Sequence, residues 1–225
     1  MIETVCVVGA GRVGTVLSSR LQERGVHLLP EAGRSDLALL CVPDAAIADA
    51  AARIAPGPWV AHVSGATPLA ALGAHRRRFS LHPLQTIVRG RGAEQLDGAF
   101  AALTAECDEA RVAGRWLAHT LGLEPFDLAD ENRALYHAGA AVASNYLVTL
   151  HEAAARLVEA AGAPPEALLP LMRRTIENGF ELTGPIQRGD WTTVDIHLAA
   201  IRERAPELMP AYRALADLTA TLFNA

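Results

Sequence analysis

With 225 residues, 51% of them hydrophobic, the chain has enough apolar material for one large domain or two smaller ones with cores of their own. A formal net charge of −5 leaves no basic surplus for nucleic acid, and no apolar run reaches bilayer-spanning length, so neither nucleic acid nor membrane is an expected partner. All 20 basic residues are arginine, which excludes a mechanism built on a lysine acid, base or Schiff base.

The first element is the apolar run Thr4-Val5-Cys6-Val7-Val8, followed by Gly9-Ala10-Gly11-Arg12-Val13-Gly14 and a helical pattern to about Arg24. A strand, a G-x-G-x-x-G turn and a helix are the context in which such glycines cradle a pyrophosphate. The first glycine makes the turn, the second admits the phosphates, and the third lets helix and strand pack closely. The alternative is a tight βα turn that binds nothing. Val26–Leu29 reads as a second strand. Beyond it Glu31 lies near the position of the acidic residue that holds a ribose, and Arg34 can instead meet a 2′-phosphate. Only about six residues then separate Leu29 from the next strand and loop, Asp36–Asp44, too few for a crossover helix. Either Val26–Leu29 is an irregular edge or the sheet is truncated on the side that normally takes adenosine.

Further strands are expected at Trp59–Gly65, Arg78–Pro83, Ala99–Thr104 and Pro125–Leu128, with helices at 44–55, 67–74 and 107–121 and a polar, Gly-rich loop at 86–96. Pro43-Asp44, Ser64-Gly65 and His82-Pro83 each close a strand, and ligands of open α/β sheets bind beyond those ends. Pro43 and Asp44 are therefore candidate cofactor contacts. Ser64 is a candidate donor to a substrate oxygen. His82 is either a substrate ligand or a structural histidine of the turn. Arg76-Arg77-Arg78 reads as the solvated end of a helix or as a phosphate patch.

From Asp130, a candidate N-cap, the pattern is helical to the end: about 131–161, 165–182, 190–203 and 206–222. The fold class is thus α/β, a Rossmann-like parallel sheet over 1–129 truncated after its second strand, followed by an all-helical C-terminal domain over 130–225. On an ideal α-helix His137, Ala141, Ser144 and Asn145 share one face. An imidazole, a hydroxyl and an amide among small residues suit either a ligand or a helix–helix contact. In the loop Thr183–Asp190, Arg188 can clamp a carboxylate bidentately. Asp190 either orients His197, seven residues on, or caps the next helix. Cys6, Cys41 and Cys107 have no metal-ligand spacing and no metal is expected. With no signal-peptide pattern at the N-terminus, the expected compartment is the cytoplasm.

Taken with Val42-Pro43-Asp44, His62-Val63-Ser64-Gly65, Ser80-Leu81-His82-Pro83, Tyr136-His137, Ser144-Asn145 and Thr183-Gly184-Pro185 with Arg188-Gly189-Asp190, the glycine turn resembles the 6-phosphogluconate-dehydrogenase-like superfamily, which includes ketopantoate reductases. The closer resemblance is to a branch of uncharacterised Rossmann-like oxidoreductases with their own helical C-terminal domain. It implies NADP- or NAD-linked reduction of a small keto acid, ketopantoate-like, or an imine, at a site between the domains. It also implies a homodimer built through the helical domain. Gly9, Gly11, Arg12, Val13 and Gly14 would hold the cofactor, with Glu31, Arg34, Pro43 and Asp44. His137, Asn145, Ser144 and Ser64 would act on a small carboxylate substrate bound by Arg188, Asp190, His82 and His197. The wider superfamily often places a lysine four residues before the helix asparagine. Here that position is Ala141, so proton supply would pass to His137. The rival expectation is a non-catalytic dimeric module that kept the fold and lost full dinucleotide binding.

Overall fold

A computed structural model describes residues 2–223. Contacts divide the chain into two compact units, residues 1–142 and 143–225.

The first unit is α/β. Seven strands form one sheet: β1 (Thr4–Val8), β2 (His27–Leu28), β3 (Leu37–Leu40), β4 (Trp59–His62), β5 (Arg78–Pro83), β6 (Phe100–Ala105) and β7 (Glu124–Asp127), in the order β2-β1-β3-β4-β5-β6-β7. β3 and β4 are buried along their whole length, as central strands covered on both faces must be. The period of two sorts β3 between the faces. Leu37 and Leu39 join a core with Leu17 and Leu21 of helix α1 (Arg12–Glu23). Ala38 and Leu40 join one with Ile47 and Ala51 of α2 (Ile47–Ala52) and with Leu69 and Leu72 of a 3₁₀ turn. Helix α3 (Asp108–Leu121) adds Leu117 and Leu121 to the first core.

One connection differs from the sequence expectation and another follows it. The sheet is mixed: β5 and β6 pair antiparallel, Phe79 opposite Ala105 and Pro83 opposite Ala101. Residues 84–99 contain only a 3₁₀ turn, Ala93–Leu96, so no crossover helix returns the chain for a parallel pairing. As the short spacing leads one to expect, β2 and β3 are joined by 29–36 with a 3₁₀ turn, Ala32–Arg34, and no α-helix. This short link suffices because Leu28 and Leu37 both register with Val5, so the chain leaves β2 and enters β3 at the same level.

The helical pattern does begin at Asp130, with a 3₁₀ turn and α4 (Arg133–Ala141), whereas the compact units part after Val142. The difference lies in α4: its buried Arg133 and half-buried Tyr136 pack within the first unit. Asp130 does not cap α4. Its carboxylate accepts from the backbone N–H of Leu69 (3.0 and 3.2 Å). Val142–Tyr146 is a π-helical turn, followed by α5 (Leu147–Ala160), α6 (Leu168–Glu177), α7 (Trp191–Arg204) and α8 (Met209–Phe223). The described residues of the second unit thus carry helices and no strand. Among the described residues no helix is long and apolar enough to cross a membrane.

Candidate active site

The glycine turn has three glycines with different reasons to be glycine. Gly9 has φ +114°, and a Cβ there would lie 2.5 Å from the Cys41 carbonyl oxygen. A Cβ on Gly14 would collide with the Gly9 carbonyl. Both are required by the fold itself, because α1 must leave β1 tightly beside β3. Gly11 is different: nothing lies within 4 Å of the Cβ it lacks. Gly11 is also the N-cap of α1 and no side chain caps it, so the first N–H groups and the positive end of the helix dipole face open space.

A cavity of about 240 Å³ adjoins this terminus, lined by Gly11, Arg12 and Thr15 and, across it, by Val88, Arg89 and Arg91. The loop that brings Arg89 and Arg91 there is anchored from α1. Buried Arg20 donates to the Ala93 carbonyl (2.6 Å) and to Asp97 Oδ1 (2.7 Å), while Gln95 Oε1 accepts from the Val88 N–H (2.9 Å). The sequence had marked 86–96 only as a polar loop. The cations join the glycine turn through Arg20, a contact across more than 70 residues with no local signal.

Glu31 and Arg34 do not line this cavity. Both are exposed on the β2–β3 link, and Arg34 lines another cavity by the starts of β3 and β4, beside Asp36 and Trp59. The short β2 is the cause: the link stays level with the start of β1, a strand's length from Gly9.

At the far ends of β4 and β5, Gly65, His82, Tyr136 and His137 meet. His82 Nδ1 is 2.8 Å from the Tyr136 hydroxyl, and the His82 and His137 rings stand edge to face with centroids 5.7 Å apart. A Cβ on Gly65 would lie 2.5 Å from His137 Nδ1 and 2.9 Å from His82 Nε2. The two imidazoles therefore close over this one backbone position. Arg133, one turn before His137 on α4, fixes the arrangement. Almost wholly buried, it donates through NH1 to Thr104 Oγ1 (2.9 Å) and through NH2 to the Ser64 carbonyl.

Burial, reinforced by the charges of His137 and Arg133, pushes His82 down to about 4, so it is neutral at pH 7. Burial pushes Tyr136 up to about 12, so its phenol keeps its proton. His62, fully buried at the end of β4, is likewise lowered to about 4 by burial and then by Arg133. Its Nδ1 accepts from the Ser64 N–H (3.2 Å). Asp44 is exposed, but its charge is felt by His62, His82 and Arg133, which places it beside this cluster. Pro43 is exposed just before the turn that Asp44 opens.

Ser64 is placed differently from its expected role. Its Oγ accepts from the N–H groups of Ala66 (3.2 Å) and Thr67 (2.9 Å) and pairs with Thr67 Oγ1 (2.9 Å), so the hydroxyl shapes its own turn.

In the second unit, Asp190 is an N-cap: Oδ1 accepts from the Thr193 N–H (3.1 Å) and Oδ2 from Thr193 Oγ1 (2.6 Å). His197 Nδ1 instead meets the Tyr212 hydroxyl at 2.7 Å. Arg188 is exposed. Ser144 Oγ donates to Asn145 Oδ1 (3.2 Å) within the π turn. That turn winds less per residue than an α-helix, so Ser144 and Asn145 are rotated about the axis from the angles of an ideal α-helix. No group of His, Cys, Asp and Glu side chains suited to a metal ion occurs among the described residues.

Residues 99–219 match a family described as a domain of unknown function, DUF2520. No curated protein matches the sequence. Solved structures of the same fold include a candidate NADP oxidoreductase from Bacteroides fragilis, 20% identical over 98% of this chain and 98% of that one, with a TM-score of 0.80. A reductive aminase from Aspergillus terreus in complex with NADPH4, cyclohexanone and allyl amine is 16% identical, covering 98% of this chain and 94% of that one, TM-score 0.65. An NADH-preferring ketol-acid reductoisomerase from an uncultured archaeon is 14% identical, covering 97% and 88%, TM-score 0.64. At these identities the likeness is one of fold.

Proposed function

The chain belongs to the DUF2520 family, and from that premise we propose that it is an NAD(P)-dependent oxidoreductase of the 6-phosphogluconate-dehydrogenase-like kind that reduces a small keto acid or an imine. The observation that carries the reading is that one sheet presents, at the carboxyl ends of its parallel strands, both an uncapped helix terminus beside an open Gly11 and the His82–Tyr136–His137 cluster.

The residues fit the cofactor's phosphates. Gly11 would leave room for them, the first N–H groups of α1 would be free to meet them, and Arg12, Arg89 and Arg91 would supply the positive charge that Arg34 is not placed to give. Bound NAD(P)H would supply the hydride. The chain's own work is then proton handling and orientation. With Tyr136 assigned as the donor to His82 Nδ1, the neutral His82 would carry its proton on Nε2 and present it as a hydrogen-bond donor beside Gly65. His82 is held neutral, so His137 is the imidazole left to carry the proton that the product oxygen or nitrogen takes up. Asn145 and Ser144 keep the role of orienting substrate, and exposed Arg188 that of binding its carboxylate, with a ketopantoate-like acid the first substrate to try.

A homodimer through the helical unit is part of the proposal. α5 and α6 have no buried residue, and Tyr146, Val148, Leu169, Leu171 and Ile176 are exposed on this segment, an apolar surface that a second copy would cover.

The test is a calorimetric titration with NADPH and NADH, then turnover against a panel of keto acids and imines with His137→Ala as control. Turnover lost in His137→Ala with cofactor affinity kept supports the assignment. The second reading, a binding module without redox chemistry, is favoured by one observation: the β2–β3 link puts neither Glu31 nor Arg34 at the glycine cavity. Failure of both cofactors to bind at millimolar concentration would decide for it.

A further inference from the structure

The first unit holds a second, larger cavity, of about 660 Å³, that the chemistry above does not use. It lies at the amino ends of β3, β4 and β5. Its lining comes from residues just before β3 (Arg34, Ser35, Asp36), the start of β4 (Pro58, Trp59), Arg77 just before β5, and the first turns of α3 (Val112, Trp116). The glycine turn and the histidine cluster lie at the opposite strand ends. The volume is in the range of roughly 300–1,000 Å³ typical of small-molecule sites.

The wall is aromatic and aliphatic. Trp59 is largely buried, Trp116 half-buried, and Val112 stays 69% exposed at the mouth although it is apolar. The guanidinium of Arg77 lies 4.8 Å from the centre of the Trp59 ring and spends one N–H on the Gly57 carbonyl (3.1 Å). Of the three acidic groups of the lining, Asp36 and Glu109 are hydrogen-bonded within the protein. Asp36 Oδ2 accepts from the N–H groups of Glu3 and Thr4 (2.9 Å each) and from the Thr4 hydroxyl (2.8 Å). Glu109 is held below the usual carboxylate range by its own backbone N–H and by Cys107. Asp108, the third, is fully exposed to solvent, its carboxylate 3.9 Å from the Arg111 guanidinium. Ser35 donates to the Ala32 carbonyl (2.8 Å). Both guanidiniums of the lining keep N–H donors to spare: Arg34 stands 4.0 Å from the exposed Glu31, beyond hydrogen-bond distance, and Arg77 makes no ion pair among the described residues and one hydrogen bond.

We propose that this cavity is a binding site for a small planar aromatic anion, whose ring lies against Trp59 and Trp116 and whose carboxylate is taken by Arg77 and Arg34. Indole faces and a stacked guanidinium favour a flat π-system. A planar fork with free N–H groups favours a carboxylate over a cation or a neutral head. Being at the opposite strand ends, the site takes its ligand without displacing anything at the glycine turn, and it stands whether or not the chain is a reductase.

The experiment titrates the full-length protein with 2-naphthoate by calorimetry, with naphthalen-2-ylmethylammonium as the cationic match. The expected result is saturable 1:1 binding per chain of the anion alone, weakened tenfold or more by Arg77→Gln and by Val112→Trp, which fills the mouth. Gly11→Ala and saturating inorganic phosphate should leave it unchanged. Circular dichroism of each variant separates a lost site from a lost fold. Arg34→Gln, at a fully exposed position, gives a second reading where Arg77→Gln fails to fold. Absence of saturable binding, equal binding of the cation, or loss of binding with phosphate present would each overturn the assignment.

Discussion

The Tyr136 hydroxyl lies 2.8 Å from Nδ1 of His82, joining the first helix after the sheet to the end of β5. Tyr136 also packs edge-on against Phe126 and His82, so a phenylalanine keeps the rings and removes only the hydrogen bond. Tyr136→Phe frees His82 to change tautomer and leaves a half-buried imidazole nitrogen unpaired. The expected loss is about 1–2 kcal/mol of transition-state stabilisation, roughly 5- to 30-fold in kcat, with cofactor affinity unchanged. An equal fall in cofactor affinity would assign Tyr136 to packing instead.

Gly65 is glycine for space and not for conformation. Its φ lies outside the left-handed region, yet a methyl group there would press on His137 Nδ1 and His82 Nε2. Exposed His137 can swing away, so Gly65→Ala should cost little stability while separating the two imidazoles. A displacement of about 1 Å is worth on the order of 100-fold in rate. Thermal melting and kcat measured together check this. Full activity in the variant would show that the imidazoles do not act as a pair.

Much of the frame was legible in short stretches, because local rules make it: the strand–glycine–helix opening, the doubly buried run Leu37–Leu40, and the strand-ending pairs Ser64-Gly65 and His82-Pro83. Three things were not. Arg133 reaches Thr104 and the Ser64 carbonyl, and Arg20 reaches Asp97, across separations that no periodicity carries. The π turn at Val142–Tyr146 leaves no mark in the sequence pattern, so a wheel drawn at the α-helical angle does not show how Ser144 and Asn145 are rotated. The offset from glycine to acidic residue that suggested Glu31 and Arg34 presumes a full-length second strand, and β2 has two residues.

His62 and His82 set a pH dependence of stability. Both fall from an ordinary 6.5 to about 4 in the folded chain, so between those values the unfolded chain binds the protons. Stability therefore rises with pH across this window and is lost as pH falls from about 6.5 towards 4, by on the order of 3 kcal/mol for fully buried His62. Urea denaturation at pH 4.5 and 7 should show the slope, and His62→Asn should flatten it. A flat wild-type profile would mean that neither histidine is buried neutral.

Asp190 supplies a plainer check on the helical unit. Its two oxygens hold the N–H and hydroxyl of Thr193 at the start of α7, and His197 is bonded to Tyr212 without it. Asp190→Ala should cost about 1 kcal/mol, and Asp190→Ser should restore most of it. Turnover lost in Asp190→Ser at unchanged stability would return Asp190 to the chemistry.

The glycine turn offers the sharpest separation of fold from function. Gly14→Ala must push α1 off the Gly9 carbonyl, and Gly9→Ala meets the Cys41 carbonyl at φ +114°, so both should destabilise the chain by 2 kcal/mol or more by a rough measure of backbone strain. Gly11→Ala meets nothing in the protein and should melt within about 0.5 kcal/mol of the parent, yet its methyl group stands where a phosphate would approach. Its affinity for NADPH should fall at least tenfold. Arg89→Ala and Arg91→Ala should weaken the same binding by about 1 kcal/mol each, and more at low ionic strength, since both guanidiniums are exposed. The decisive comparison is Gly11→Ala against Gly14→Ala. If both lose stability and neither changes cofactor affinity in proportion to the space at Gly11, the turn serves only to pack α1 on the sheet.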